Sequence, residues 1–213
     1  MKIYQISGLG AGEEVFKTTR LDFPTQFIPW IIPEPQETIE HYASRMAEAI
    51  NPDEPFCLMG VSFGGIMSQE IAKLIKPQQI FIVSSAKSRK EIPIYMRAVA
   101  ELGLTATLPD KLMKQTNGVT HFLFGAKSEG EKQALNEIME NINPDYLRWS
   151  LTQIGKWKQK SPPPDLIHIH GNHDFLFPLR NVKNPDHVLP GGHFVAVQRG
   201  AEISRIINDY LKN

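Results

Sequence analysis

The sequence predicts an α/β protein: a mostly parallel sheet of about six strands flanked by helices, with one helical insertion. Three observations carry this. Short apolar runs ending in Gly or Ser alternate with stretches of helical period through residue 85. The alternation stops between Ala86 and Lys160, where helical patterns stand without a convincing strand. It resumes after the breaker cluster Ser161-Pro162-Pro163-Pro164. Strands that are apolar on both faces and separated by helices belong to parallel sheets covered on both sides. The expected division is a core of residues 1–85 and 161–213 and a lid-like insertion of residues 86–160, one domain being what 213 residues support.

In chain order, Lys2 to Ser7 is a buried strand running into the loop Gly8-Leu9-Gly10-Ala11-Gly12. Gln26 to Trp30 is a second strand, broken off by the proline-rich Ile31 to Pro35. Thr38 caps a helix with Ile39, Tyr42, Met46, Ala47 and Ile50 on its apolar face, ended at Asn51-Pro52. Phe56 to Met59 is a strand, and the helix after Gly65 places Ile66, Ile71, Leu74 and Ile75 on one face. Ile80 to Ser84 is the next strand. The insertion is expected to hold helices at Ile92–Leu102, Gly118–Phe124, Glu129–Ile142 and Asp145–Trp157. Its large apolar groups, Tyr95, Met96, Phe122, Phe124, Met139, Tyr146, Trp149 and Trp157, chiefly pack it onto the sheet, with a minority lining a pocket over Ser62. Leu166 to His170 and His187 to Leu189 complete the strands, and a last helix carries Ile203, Ile206, Ile207, Tyr210 and Leu211.

Charge and cysteine usage exclude several functions. Lys+Arg and Asp+Glu are 23 each, with no basic block to follow a phosphate backbone, so no nucleic-acid partner is expected. The single cysteine, Cys57, lies in an apolar run and reads as a small buried hydrophobe rather than a metal ligand or half of a disulfide, which fits a reducing compartment. No segment has the roughly 18 continuous apolar residues of a membrane span, and the N-terminal apolar run is short for a signal peptide. A soluble cytoplasmic protein is expected.

The chemistry centres on Gly60-Val61-Ser62-Phe63-Gly64, a G-x-S-x-G at a strand-to-helix turn. A serine projected from so tight a turn holds a strained positive-φ backbone, and side chains at both flanking positions would collide with the neighbouring strand and helix. A serine hydroxyl at neutral pH needs a base and a group to orient that base. Of seven histidines, His193 is the best base, because it sits between a strand end and a helix and Gly191 and Gly192 free its loop to turn. His173 is its rival, while His168 and His170 share one strand face as core groups, and His41 and His121 lie in helices away from the site. Asp174 follows a strand end and precedes His193, whereas Asp165 and Asp186 precede their strands. A turn-capping role is the alternative for Asp174. The first loop lacks the last glycine of a dinucleotide fingerprint, so it reads better as an oxyanion loop offering a backbone N–H near Leu9.

Together, G-V-S-F-G-G, H-G-N-H-D-F-L-F-P and G-G-H-F resemble the α/β-hydrolase superfamily over nearly the whole chain outside the insertion. The resemblance implies a catalytic triad of Ser62, Asp174 and His193, an oxyanion hole of the Leu9 and Phe63 N–H groups, a variable lid, and neither cofactor nor metal. The chain starts at what would be the family's third strand, so it looks like a compact member without the first hairpin, and Ser7-Gly8 stands where the family usually has His-Gly. A serine nucleophile implies hydrolysis of a small-molecule carboxylic ester or thioester, and G-G-H-F is similar to type II thioesterases. A catalytically silent ligand receptor, or a carbon-carbon hydrolase or lyase using the same triad, are the alternative readings of this fold.

Overall fold

The computed structural model describes residues 1–212. Six strands, β1 (Lys2–Ile6), β2 (Thr25–Phe27), β3 (Phe56–Val61), β4 (Gln79–Val83), β5 (Leu166–Gly171) and β6 (His187–Leu189), form one sheet in the order β2-β1-β3-β4-β5-β6. All neighbouring pairs are parallel. The direction of winding reverses between β1 and β3. In open parallel sheets the loops at the carboxyl ends of such a pair diverge and leave a crevice, which is where ligands bind.

Alternation along the strands divides the core into two layers. Tyr4, Ile6, Leu58, Ile80 and Ile82 face α1 (Ile39–Ala47), α2 (Phe63–Ile71) and much of the insertion. Ile3, Cys57, Met59, Phe81, Val83 and Ile169 face the C-terminal helices, meeting Val195, Ile203 and Ile207. Burial on both faces is the reason these strands read as unbroken apolar runs.

Thr38 caps α1 as expected, its hydroxyl accepting from the His41 N–H at 3.2 Å. Two boundaries differ from the sequence reading. β2 ends at Phe27, and although the Ile28 N–H still donates to Gln5 O at 2.9 Å, Pro29 has no N–H with which to extend the ladder. The regular part of α2 stops at Ile71, so Leu74, expected on the apolar face, is 52 % exposed in the following turn.

Between β4 and β5 the described chain forms α3 (Ile94–Glu101), α4 (Asp110–Met113), α5 (Gly118–Phe124), α6 (Glu129–Asn141) and α7 (Pro144–Lys156), with no strand. α6 opens with a capping box in which Ser128 and Glu131 satisfy each other's backbone N–H groups. α7 opens with Asn143 as cap and Pro144 in its first turn. α4 was not expected; a single turn after Pro109 has no period to read. Met139, Tyr146 and Trp157 are buried, while Tyr95 and Phe122 are exposed. After β6 come a short helix α8 (Val195–Gln198), also unexpected, and α9 (Gly200–Lys212). No helix among the described residues is long and apolar enough to cross a membrane.

Candidate active site

Ser62 stands between the end of β3 and the start of α2 with φ 54° and ψ −119°. A non-glycine residue in this region stores about 1–3 kcal/mol, so its surroundings must hold it. The Ser62 N–H donates to Val83 O at 2.9 Å, and its carbonyl accepts from Gly65 N–H at 3.0 Å and from Ser85 Oγ at 2.7 Å. The flanking glycines are sterically required. A Cβ on Gly60 would lie 2.3 Å from Gly64 O, and one on Gly64 2.2 Å from Ile6 O.

His193, at the end of the Gly191-Gly192 loop, brings Nε2 to 2.8 Å from Ser62 Oγ. Its Nδ1 lies 2.8 Å from Asp174 Oδ2. The carboxylate can only accept, so Nδ1 carries the proton and Nε2 offers its lone pair to the serine hydroxyl. Asp174 is fixed in turn: Oδ1 accepts from the N–H groups of Leu176 at 2.9 Å and Phe177 at 2.8 Å. Burial pushes the Asp174 carboxyl up, but the adjacent His193 ring, His170 and the Phe177 amide outweigh this and hold it below the ordinary aspartate value. The three side chains named from the sequence therefore meet at one rim of the sheet.

The other histidines lie elsewhere. His173 is exposed and pairs with its neighbour Asn172. His41 contacts Glu37, and His121 Nε2 lies 2.8 Å from Asn136 Oδ1. His168 and His170 are fully buried behind Asp174. His170 Nε2 lies 2.8 Å from the Phe177 carbonyl and must donate to it; His170 Nδ1 then accepts from His168 Nε2 at 3.1 Å. Burial pushes the His168 pKa down to about 2 and holds the His170 pKa below its ordinary value, so both rings are neutral. Asp165 and Asp186 serve the sheet: Asp165 O accepts from Ile80 N–H, and Asp186 Oδ2 from His168 N–H.

The first loop comes close to the elbow, since a Cβ on Gly8 would lie 3.5 Å from Ser62 Cβ. Phe63 is the first residue of α2, where an N–H has no intrahelical partner. Among the described residues, neither the Leu9 nor the Phe63 N–H donates to a protein acceptor.

A cavity of about 990 Å³ opens above Ser62 and His193. Its walls are largely apolar, from Leu9 on the core side and Met96, Leu108, Leu147 and Leu151 on the insertion side. Phe124 and Phe177 flank the His193 ring with centroids 5.7 and 5.8 Å away. The insertion is seated against the histidine loop at Gly125, which has φ 70° and lies so close to Gly192 that a Cβ would come within 2.9 Å of its Cα. Ser85, Phe124 and Gly125 carried no motif in the sequence. Each matters only through a contact made by the fold. Glu34, Glu37 and His41 bring carboxylate and imidazole atoms within 4.8 Å of one another. Arg45 occupies that cluster, with Nη2 2.6 Å and Nε 2.8 Å from the Glu37 carboxylate, so its guanidinium supplies the positive charge there.

No protein-family model matches the sequence, and no curated protein does. Solved structures match over nearly the whole of this chain. An esterase from Exiguobacterium antarcticum superposes with TM-score 0.73 at 14% identity, covering 100% of this chain and 92% of that one. A lipase-esterase related protein from Clostridium acetobutylicum gives TM-score 0.69 at 14% identity, with 98% and 93% covered. YbtT, the type II thioesterase of the yersiniabactin NRPS/PKS biosynthetic pathway, gives 0.61 at 17% identity, with 97% and 91% covered. The architecture is that of an α/β-hydrolase, and the chain has this fold.

Proposed function

We propose that this protein is a serine hydrolase that cleaves a carboxylic ester or thioester through an acyl-enzyme. The observation that carries this is the pair of 2.8 Å contacts that link Ser62 Oγ to His193 Nε2 and His193 Nδ1 to Asp174 Oδ2. As Ser62 Oγ attacks the carbonyl carbon, His193 Nε2 takes its proton, and Asp174 stabilises the imidazolium that forms. The N–H groups of Leu9 and Phe63 hold the developing oxyanion. The imidazolium then protonates the departing alcohol or thiol. Water, deprotonated by the same histidine, releases the acid and restores Ser62.

The apolar cavity favours a small to medium hydrophobic acyl or alcohol group, and its 990 Å³ is at the upper end of the ~300–1,000 Å³ usual for small-molecule sites. Residues 86–160 act as the lid over a core of 1–85 and 161–213. The buried lone Cys57 fits action in the reducing cytoplasm, and no helix among the described residues is long and apolar enough to cross a membrane. Esterases and a thioesterase among the structural neighbours are consistent with both leaving groups.

The test is a panel of acyl-CoA thioesters and aryl esters of matched chain length, with intact-mass capture of the acyl-enzyme. A mass increase located on Ser62, absent in Ser62→Ala, is the expected result. Failure of a fluorophosphonate to label Ser62 at any concentration would favour a silent ligand receptor on this fold.

A further inference from the structure

Trp30 lies just past the end of β2, outside any motif, yet it touches both halves of the proposed oxyanion hole. Its indole Nε1–H donates to Gly8 O at 2.9 Å. The same carbonyl accepts from the Ala11 N–H at 3.1 Å. The Gly8–Leu9 peptide is trans, as are all peptide bonds in the described chain. In a planar trans peptide the C=O and the following N–H point in opposite directions, so fixing the Gly8 carbonyl fixes the aim of the Leu9 N–H. Gly8, Leu9 and Ser62 all line the cavity, and Trp30 does not. With the carbonyl drawn toward Trp30, the Leu9 N–H points away from the indole, and Leu9 lines the cavity together with Ser62.

The other half is reached through the ring. Trp30 stacks on Phe63, centroids 5.2 Å apart and planes within 12°, and Phe63 carries the second N–H. The indole is itself held firmly. Tyr146 of the insertion packs at 5.7 Å and Tyr42 at 6.3 Å, while the Tyr42 hydroxyl donates to Ile31 O at 2.7 Å and accepts from Ile31 N–H at 3.0 Å. That clamps the residue immediately after Trp30. Ser7, where a histidine is usual in this fold family, braces the loop from its other end by donating to Ala11 O.

We propose that Trp30 is the positioning residue of the oxyanion hole, aiming the Leu9 N–H through the Gly8 carbonyl and supporting Phe63 by stacking. This rests on the reading of Ser62 as nucleophile. Trp30 touches neither the substrate nor the reacting atoms, so its effect belongs to the transition state rather than to substrate binding.

Trp30→Phe separates the hydrogen bond from the stacking, because the benzyl ring keeps a face for Phe63 and loses the N–H. Losing an oxyanion donor outright costs ~10²–10³ in kcat; misaiming one that Ala11 still partly holds is expected to cost about 10- to 100-fold. The measurements are kcat and KM on an aryl ester, the Ki of an aryl trifluoromethyl ketone whose adduct places an oxyanion in the hole, and the melting temperature. The expected result is a fall in kcat with KM within about twofold, a Ki raised in proportion to the loss in kcat/KM, and a nearly unchanged melting temperature. Should Trp30→Phe not fold, benzothienylalanine at position 30 keeps the indole shape without the N–H and is read the same way. Wild-type kcat and Ki in whichever variant folds would overturn the proposal, as would a loss of kcat without any change in Ki. Ser62→Ala run alongside must be inactive. Activity surviving in that variant would remove the nucleophile reading and the role of Trp30 with it, whereas an inactive Ser62→Ala beside an unaffected Trp30→Phe would sink only the latter.

Discussion

His193 Nε2 and Ser62 Oγ lie 2.8 Å apart although 131 positions of chain separate them. Groups that act as one unit lose function together, so Ser62→Ala and His193→Ala are each expected to lower kcat by ~10⁴-fold or more, and the double variant should be no worse than either single one. Steady-state rates on one ester, with circular dichroism to confirm folding, check this. Independent, multiplying losses would contradict a shared step.

Asp174→Asn keeps the shape of the carboxylate and changes what it asks of His193. An amide nitrogen facing Nδ1 would donate, forcing the proton onto Nε2, where it can no longer accept from Ser62. A loss of ~10³–10⁴ in kcat with KM little changed is expected. A variant within tenfold of wild type would leave Asp174 as only the turn cap that its bonds to Leu176 and Phe177 also make it.

Gly64→Ala tests the elbow as a packing problem rather than a chemical one. The new Cβ would come within 2.2 Å of Ile6 O and 2.4 Å of Ser7 O, both backbone atoms of the central sheet and its loop. Displacing them is expected to cost about 3 kcal/mol or more, a fall of roughly 10 °C in melting temperature at this size. Gly118→Ala, where nothing lies within 4 Å, should leave the melting temperature unchanged or slightly higher. Equal effects of the two substitutions would remove the steric account.

These contrasts show why parts of the site could be read from sequence and others not. Ser62 and its glycines sit within five residues, and local sterics dictate the spacing. Asp174 and His193 could be found because parallel strands put their following loops at one edge, so chain order after a strand predicts location. Trp30 could not be distinguished from a strand residue, since its role depends on a carbonyl 22 positions away. Ser85 is a loop serine until β4 is laid beside β3. Leu74 failed for the opposite reason: helical periodicity continues in the letters after the backbone has already left the helix.

The buried histidine pair makes acid stability a second readout of the site. His168 has its pKa lowered from 6.5 to about 2 by burial, with His170 and Lys87 adding to the shift; His170 is lowered too, burial outweighing the pull of Asp174. The unfolded chain therefore takes up protons near pH 6.5 that the folded chain refuses. Stability is full above that value and falls as pH drops below it, by about 1 kcal/mol per pH unit for His168 alone. Asp174, shifted below its ordinary 3.8, loses its contribution only at lower pH and does not enter between pH 7 and 5. Urea melts at these two values should differ, and His168→Gln, which does not titrate and can still donate to His170 Nδ1, should narrow the gap by about 1–2 kcal/mol. An unchanged gap would mean that these rings are not the groups being titrated.

The cavity sets a last expectation, on chain length. Apolar contacts remote from the carbonyl are the same before and during attack, so they deepen substrate binding without altering the chemical step. Each methylene that enters the cavity is worth about 0.8 kcal/mol, so kcat/KM should rise roughly three- to fourfold per carbon, mainly through KM, until the space is filled. Leu151 of α7 lines this space beside Leu147 and Ile154. Leu151→Trp should move the plateau to shorter acyl chains while acetyl and propionyl esters, which stay close to Ser62, keep their kcat. If short and long chains lost activity alike, the insertion would be acting on the position of His193, through Phe124 and Gly125, and not as the wall of an acyl site.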